Sequence, residues 1–143
     1  MTISTKGRYA LRMMLDLALH AEDGFISLKD TAQQQEVSKK YLEQIVPVLT
    51  KAGLLTANRG FQGGYKLSRP ASEYTVGEII RLTEGSLAPV ACLQTEINDC
   101  PRKEKCITLP IWEGLYKVIA EYFDNITLQQ IIDIYSTQSE KAN

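Results

Sequence analysis

The sequence predicts a mainly α-helical fold, a winged helix-turn-helix with a small β-hairpin wing and a long C-terminal dimerisation helix. Three observations predict it. Two short helices, each opened by a capping serine, are separated by a turn of three or four residues. A glycine-rich hairpin pattern follows at once. Late in the chain, Ile111, Leu115, Val118 and Tyr122 recur at intervals of 4, 3 and 4, one face of a long helix. The natural divisions are a winged helix-turn-helix unit over 1–84, a cysteine-bearing loop over 85–107, and a dimerisation helix with a final helix over 108–143.

Each element has a local cause. Over Lys6 to Ala21, Tyr9, Met13, Met14, Leu17 and Ala21 form an apolar stripe that Leu11, Leu15, Ala18 and Leu19 widen, predicting a helix covered on more than one side. Ser27-Leu-Lys-Asp30 resembles a capping box and predicts a short helix to about Gln35. After Glu36-Val37, Ser38 caps a helix through KKYLEQIVPVLTKA that stops at Gly53, with Pro47 predicting a kink or early break. Leu54–Ala57 and Tyr65–Leu67 read as strands, with Asn58-Arg59-Gly60 and Gly63-Gly64 as turn chemistry. Pro70 and the polar ASEY mark a boundary. Thr75-Val-Gly-Glu78 opens a helix that ends by Gly85. Ser86 to Cys106 has no periodicity and contains Pro89 and Pro101, so it reads as a loop. A long helix begins near Leu109, and Thr127-Leu-Gln-Gln130 caps a last helix whose tail, STQSEKAN, is expected to fray.

Composition narrows the function. The 143 residues suit one compact unit, and 44% hydrophobic content is too high for general disorder. No apolar run approaches the roughly 18 residues of a membrane span. The N-terminal MTISTKGRY is not followed by a signal-peptide h-region, so a cytoplasmic protein without membrane partners is expected. One histidine in all, no Ser/His or Cys/His pairing and no phosphate loop argue against an enzyme. Charge is segregated. Residues 1–70 hold ten Lys+Arg against six Asp+Glu, a net of +4, and residues 71–143 hold six against eleven, a net of −5. A basic half joined to an acidic half fits nucleic-acid contact at one end.

In a helix-turn-helix the second helix enters the major groove and its N-terminal residues meet base edges. Here that end offers Ser38, Lys39, Lys40, Tyr41, Glu43 and Gln44. The lysines suit phosphates of double-stranded DNA. Gln44 suits adenine and Glu43 a cytosine amino group. Arg59, at the wing tip, suits a narrow minor groove. Leu42, Ile45, Val46 and Leu49 read as core, and Tyr41 fits either the core or a phosphate contact.

All three cysteines lie in one stretch. Seven residues separate Cys92 from Cys100 and five separate Cys100 from Cys106. Structural zinc sites use tighter pairs and four ligands. Three thiolates on one irregular loop suit one face of an iron–sulfur cluster, whose fourth ligand need not be cysteine. Arg102, Lys103 and Lys105 would offset its charge. Three unrelated buried cysteines, or a reversible disulfide switch, remain alternatives on spacing alone.

Taken together, STKGRYAL at 4–11, YLEQ at 41–44, RGFQGGYKL at 59–67, VGEII at 76–80, the clustered cysteines and NITL at 125–128 resemble the Rrf-two family of bacterial regulators, in its IscR-like iron–sulfur branch. The resemblance covers nearly the whole chain. It implies a homodimer of winged helix-turn-helix subunits, with Ile111, Leu115, Val118, Ile119 and Tyr122 at the two-fold interface. It implies a [2Fe–2S] or [4Fe–4S] cluster on Cys92, Cys100 and Cys106, and DNA reading through Glu43, Gln44 and Arg59. The pattern departs from that branch in its first cysteine interval, which is longer, and after the third cysteine. Leu109 stands where the branch carries a histidine after the third cysteine, and Arg8 stands where the nitric-oxide-sensing branch carries an acidic residue. The fourth ligand is therefore open among Glu96, Asp99, Glu104, a partner-chain carboxylate, water or a small thiol. The expected function is a DNA-binding regulator, acting as a repressor, whose operator affinity an iron–sulfur cluster modulates. The rivals are a cluster-free regulator that responds through thiol oxidation or docking of an enzyme, and an iron–sulfur carrier without DNA binding.

Overall fold

A computed structural model of the chain describes residues 2–61 and 63–142. Gln62, inside the wing motif, lies outside the described residues. Six helices and one antiparallel hairpin appear in the expected order. They are α1 (Thr5–Leu19), α2 (Leu28–Gln35), α3 (Lys39–Lys51), β1 (Leu55–Asn58), β2 (Gly64–Leu67), α4 (Val76–Glu84), α5 (Leu109–Asp124) and α6 (Leu128–Ala142).

Four N-terminal caps act as the sequence implies, and Ser4 adds a fifth that it did not single out. Ser4, Ser27, Ser38, Thr75 and Thr127 each accept a backbone N–H of the first turn they open. Only Thr127 closes a reciprocal box, with Gln130 Oε1 accepting the Thr127 N–H at 2.9 Å. Glu78 instead turns its carboxylate to Arg69 at 2.8 Å, because a guanidinium offers a stronger partner than a backbone amide. Two expectations of breakage are corrected. The helix does not stop at Pro47 but runs on to Lys51, since Pro47 sits on the exposed face where solvent can satisfy the carbonyl its ring leaves free. The tail is helical to Ala142, continuing α6 without a break.

The main core gathers Ala10, Met13, Met14 and Leu17 of α1, Leu42, Ile45 and Leu49 of α3, Ile79 of α4 and Leu128 of α6. Each of these Met, Leu and Ile side chains contributes about 1.5–3 kcal/mol relative to exposure. Because Leu128 is fully buried there, α6 packs back onto the N-terminal unit. A second core centres on Val76, Ile80 and Leu87, with Tyr116, Ile119 and Phe123 of α5 packed against it.

The polar segment after Pro70 is more than a boundary. Tyr74 is completely buried. Its hydroxyl donates to the Leu54 carbonyl at 2.7 Å and accepts the N–H groups of Ser68 and Arg69 at 2.9 and 3.0 Å. Arg69 lies over its ring, 4.3 Å from the centroid. The adjoining backbone pairs with the α5–α6 corner: Val76 N–H donates to the Ile126 carbonyl and Leu128 N–H to that of Tyr74.

Ser4 also ties α1 to the end of α4, donating from its N–H and hydroxyl to Glu84 Oε1 at 3.0 and 2.5 Å. Arg81 of α4 grips Asp124 at the end of α5 with two hydrogen bonds, 2.6 and 2.8 Å. Gly77 leaves room for that pair, since a Cβ there would collide with the Asp124 carboxylate. The Arg81 hydrogen bonds hold the Asp124 carboxyl below the usual aspartate range. Being about two-fifths exposed, the pair is worth at most about 1 kcal/mol. Its contribution is complete above the ordinary aspartate pKa of about 3.9 and disappears as acid protonates the folded carboxylate. Urea unfolding should therefore show Asp124→Asn less stable than the parent by a constant margin from about pH 7 to pH 5. That margin should close as the pH falls below about 4.

Candidate nucleic-acid interface and cysteine segment

The helix-turn-helix is set by α2, the Glu36 turn and α3. Glu36 takes the left-handed conformation, φ 55°, that ends α2. The α2 end is fastened to α1. Gln35 donates to Asp16 Oδ1 at 3.0 Å, and Arg12 bonds the Gln35 carbonyl. Asp16 is buried, so this tie fixes where α3 begins.

Along α3, Leu42, Ile45, Val46 and Leu49 are buried, as expected. Ser38, Lys39, Lys40, Glu43 and Gln44 are all exposed. Tyr41 is half-buried and meets Tyr9 edge-on, ring centroids 5.3 Å apart. Lys39 and Glu43 form a solvated pair at 4.0 Å. Such a pair contributes only about 0.3–0.5 kcal/mol, so either side chain can exchange it for a phosphate or a base at little cost.

The wing follows after Gly53. Leu55 pairs with Leu67 and Asn58 with Gly64. Its far edge is pinned by a short bridge that the sequence did not signal. Ile26, in the loop between α1 and α2, exchanges two backbone hydrogen bonds with Tyr65, at 2.8 and 2.9 Å. This holds the hairpin beside the helix-turn-helix. Gly64 makes the approach possible, with φ 129° and no room for a side chain. Arg59 is exposed at the tip.

The cysteine loop departs from this tight build. It starts from buried Leu87 and contains two single turns, Ala91–Leu93 and Lys103–Lys105. Among the described residues, its hydrogen bonds from 91 to 106 are all local, such as Cys100 N–H to Asn98 and Lys103 N–H to Cys100. Ile97 and Ile107 are exposed. All three cysteines are free and half-buried. Among the described residues they are not gathered, with one another or with His, Asp or Glu, into a set that could hold a metal ion. Cys106 lies just before α5, its sulfur 3.4 Å from the Thr108 hydroxyl. That hydroxyl first, then the nearby backbone amides and Arg102, lower the thiol's pKa.

Beyond the loop, α5 has two faces. Tyr116, Ile119 and Phe123 pack inward, so Ile119 belongs to the second core in this chain. Ile111, Leu115, Val118 and Tyr122 stand outward, 61%, 39%, 62% and 66% exposed.

A basic recognition helix flanked by a pinned hairpin defines a winged helix-turn-helix DNA-binding protein, and comparison with known proteins specifies the class. The family model for Rrf2, described as an iron-dependent transcriptional regulator, matches residues 3–134. The chain belongs to the Rrf2 family of DNA-binding transcriptional regulators. It is 38% identical to the HTH-type transcriptional regulator IscR of Yersinia enterocolitica, covering 93% of this chain and 80% of that protein. The solved structure of T. potens IscR superposes with a TM-score of 0.74 at 38% identity, covering 94% of this chain and 88% of that one. CymR of B. subtilis, described as a global cysteine regulator, gives 0.76 at 36% identity, covering 94% and 98%. No helix among the described residues is long and apolar enough to cross a membrane.

Replacing Gly64 should expose the wing's dependence on the Ile26 bridge. A Cβ there would lie 2.8 Å from the Ile26 carbonyl oxygen. Gly64→Ala is expected to lose about 1–3 kcal/mol in urea unfolding and the Ile26–Tyr65 cross-strand signal in NMR, with α3 intact.

Proposed function

We propose that this regulator is a homodimeric, cytoplasmic repressor that grips a double-stranded DNA operator through α3 and the wing, and that an iron–sulfur cluster on Cys92, Cys100 and Cys106 sets its affinity. The observation that carries the reading is a junction. A loop with three free thiols and only local hydrogen bonds runs directly into a helix whose apolar stripe this chain leaves uncovered. An uncovered stripe of this kind on a family known to regulate transcription calls for a second copy. Two copies place two reading heads on a palindromic operator, half-sites about 34–36 Å apart.

In donor chemistry the three thiols suit a thiolate-held cluster with one ligand from elsewhere. As folded they are apart, so binding would require the loop to close. Among the described residues, the hydrogen bonds of 91–106 are all local, so closure would break none to the body. When bound, such a cluster supplies a redox-active centre labile to oxidants. In this chain Arg102, Lys103 and Lys105 lie between Cys100 and Cys106 in the sequence and would offset the charge of such a cluster. On the DNA side, Lys39 and Lys40 neutralise phosphates, Ser38 and Tyr41 help position the helix, Glu43 and Gln44 meet base edges, and Arg59 enters the minor groove. A second reading is favoured by three free thiols that, among the described residues, are not gathered on a common ligand and by the likeness to CymR, described as a global cysteine regulator: a cluster-free regulator that responds by thiol oxidation.

Anaerobic purification with iron and sulfide analysis separates the two. The expected result is a brown protein with a visible absorption band that Cys106→Ala abolishes and Arg59→Ala preserves. Arg59→Ala should weaken operator binding and lower the salt dependence by about one released ion. A colourless protein that still binds its operator, and loses affinity on mild oxidation, would replace the cluster with the thiol switch.

A further inference from the structure

The wing tip holds a side chain that the hairpin itself does not need. Phe61 is fully exposed, at 106% of its reference area, so its ring contributes no burial to the fold. The tip that carries it is nevertheless built. Asn58 Oδ1 accepts the Gly60 N–H at 3.0 Å, and the Gly60 carbonyl accepts the Gly63 N–H at 2.9 Å. Those bonds order the backbone on either side of Phe61, which projects fully into solvent between β1 and β2. Gly60 keeps the tip slender, since even a Cβ there would crowd Asn58 Oδ1 at 3.2 Å. Arg59 is its chain neighbour but one.

A scattered exposed apolar residue is ordinary on a protein surface. This one stands at the end of the hairpin that a winged helix directs at DNA, beside an arginine. Minor-groove binders combine such an arginine with an apolar wedge that partly unstacks a base step. We propose that Phe61 is that wedge, entering the minor groove with Arg59 and levering against one base step. The inference rests on the DNA-binding reading of the wing. Base steps differ in how readily they open, and pyrimidine–purine steps open most easily. Phe61 thereby confers a sequence preference at a position where no hydrogen bond reads a base.

The test begins by selecting duplexes from a randomised pool with the full-length protein and locating the step under the wing by hydroxyl-radical footprinting. Wild type, Phe61→Ala, Phe61→Leu and Arg59→Ala are then compared on that duplex at fixed salt, with 2-aminopurine at the step. Wild type should enrich TA or CA/TG there and raise the 2-aminopurine signal. Phe61→Ala should bind about tenfold more weakly, lose the step preference and the signal, and keep the parent melting temperature. Phe61→Leu should retain most of both. A Phe61→Ala protein with unchanged affinity and unchanged step preference overturns the wedge while Arg59-dependent binding stands. A wild type that enriches no duplex overturns the wedge together with the reading beneath it.

Discussion

The Tyr74 hydroxyl is the constraint on which the DNA-binding half depends. A fully buried phenol oxygen must find partners, and this one finds three backbone groups from both sides of the wing. Leu54 directly precedes β1, while Ser68 and Arg69 follow β2. One side chain thus clamps the base of a two-stranded hairpin that would be marginal by itself. At the other margin the Ile26 bridge holds Tyr65. Between them the base of the hairpin is held on both sides.

The same residue joins the DNA head to the C-terminal helices. Its carbonyl accepts the Leu128 N–H, Thr75 bridges Thr127, and Val76 donates to Ile126. The α5–α6 corner is therefore stitched to a segment six residues from the wing base. Arg81 and Asp124 reinforce the same joint from α4. Against this stands the loop from 91 to 106, with nothing but local bonds. The molecule combines a tightly tied winged unit with a segment whose hydrogen bonds, among the described residues, are all local and which leads into the first turn of α5. Low local stability at such a point is what a ligand-responsive element needs.

Much of this was visible in the sequence because short-range physics sets it. Capping serines and threonines, the turn at Glu36, glycines at the wing and the stripe on α5 are local signals, and each predicted element lies within a few residues of its place. The failures share a cause too. Tyr74 sits in a polar stretch, and only the folded chain brings Leu54, Ser68 and Arg69 to its hydroxyl. Ile26 carries no sign that it will bridge β2. Pro47 argued for a break that an exposed position makes unnecessary. Glu78 matched a capping box, but a guanidinium distant in helix order took its carboxylate. For the candidate site, exposure of Ser38, Lys39, Lys40, Glu43, Gln44 and Arg59 followed from helix periodicity and turn chemistry. Whether three thiols converge depends on loop closure, which spacing does not encode.

The clamp at Tyr74 is tested most directly by Tyr74→Phe, followed by native-state hydrogen exchange. The change removes one hydroxyl and little volume, leaving buried backbone groups unpaired at a cost of about 1–3 kcal/mol. The account predicts that global stability falls by that amount and that the Arg69 amide, whose acceptor is the hydroxyl, loses its protection while amides within α1 keep their rank. If the phenylalanine protein is as stable as the parent and its Arg69 amide exchanges as slowly, the wing is held by something else, and the account of this fold is wrong at its centre.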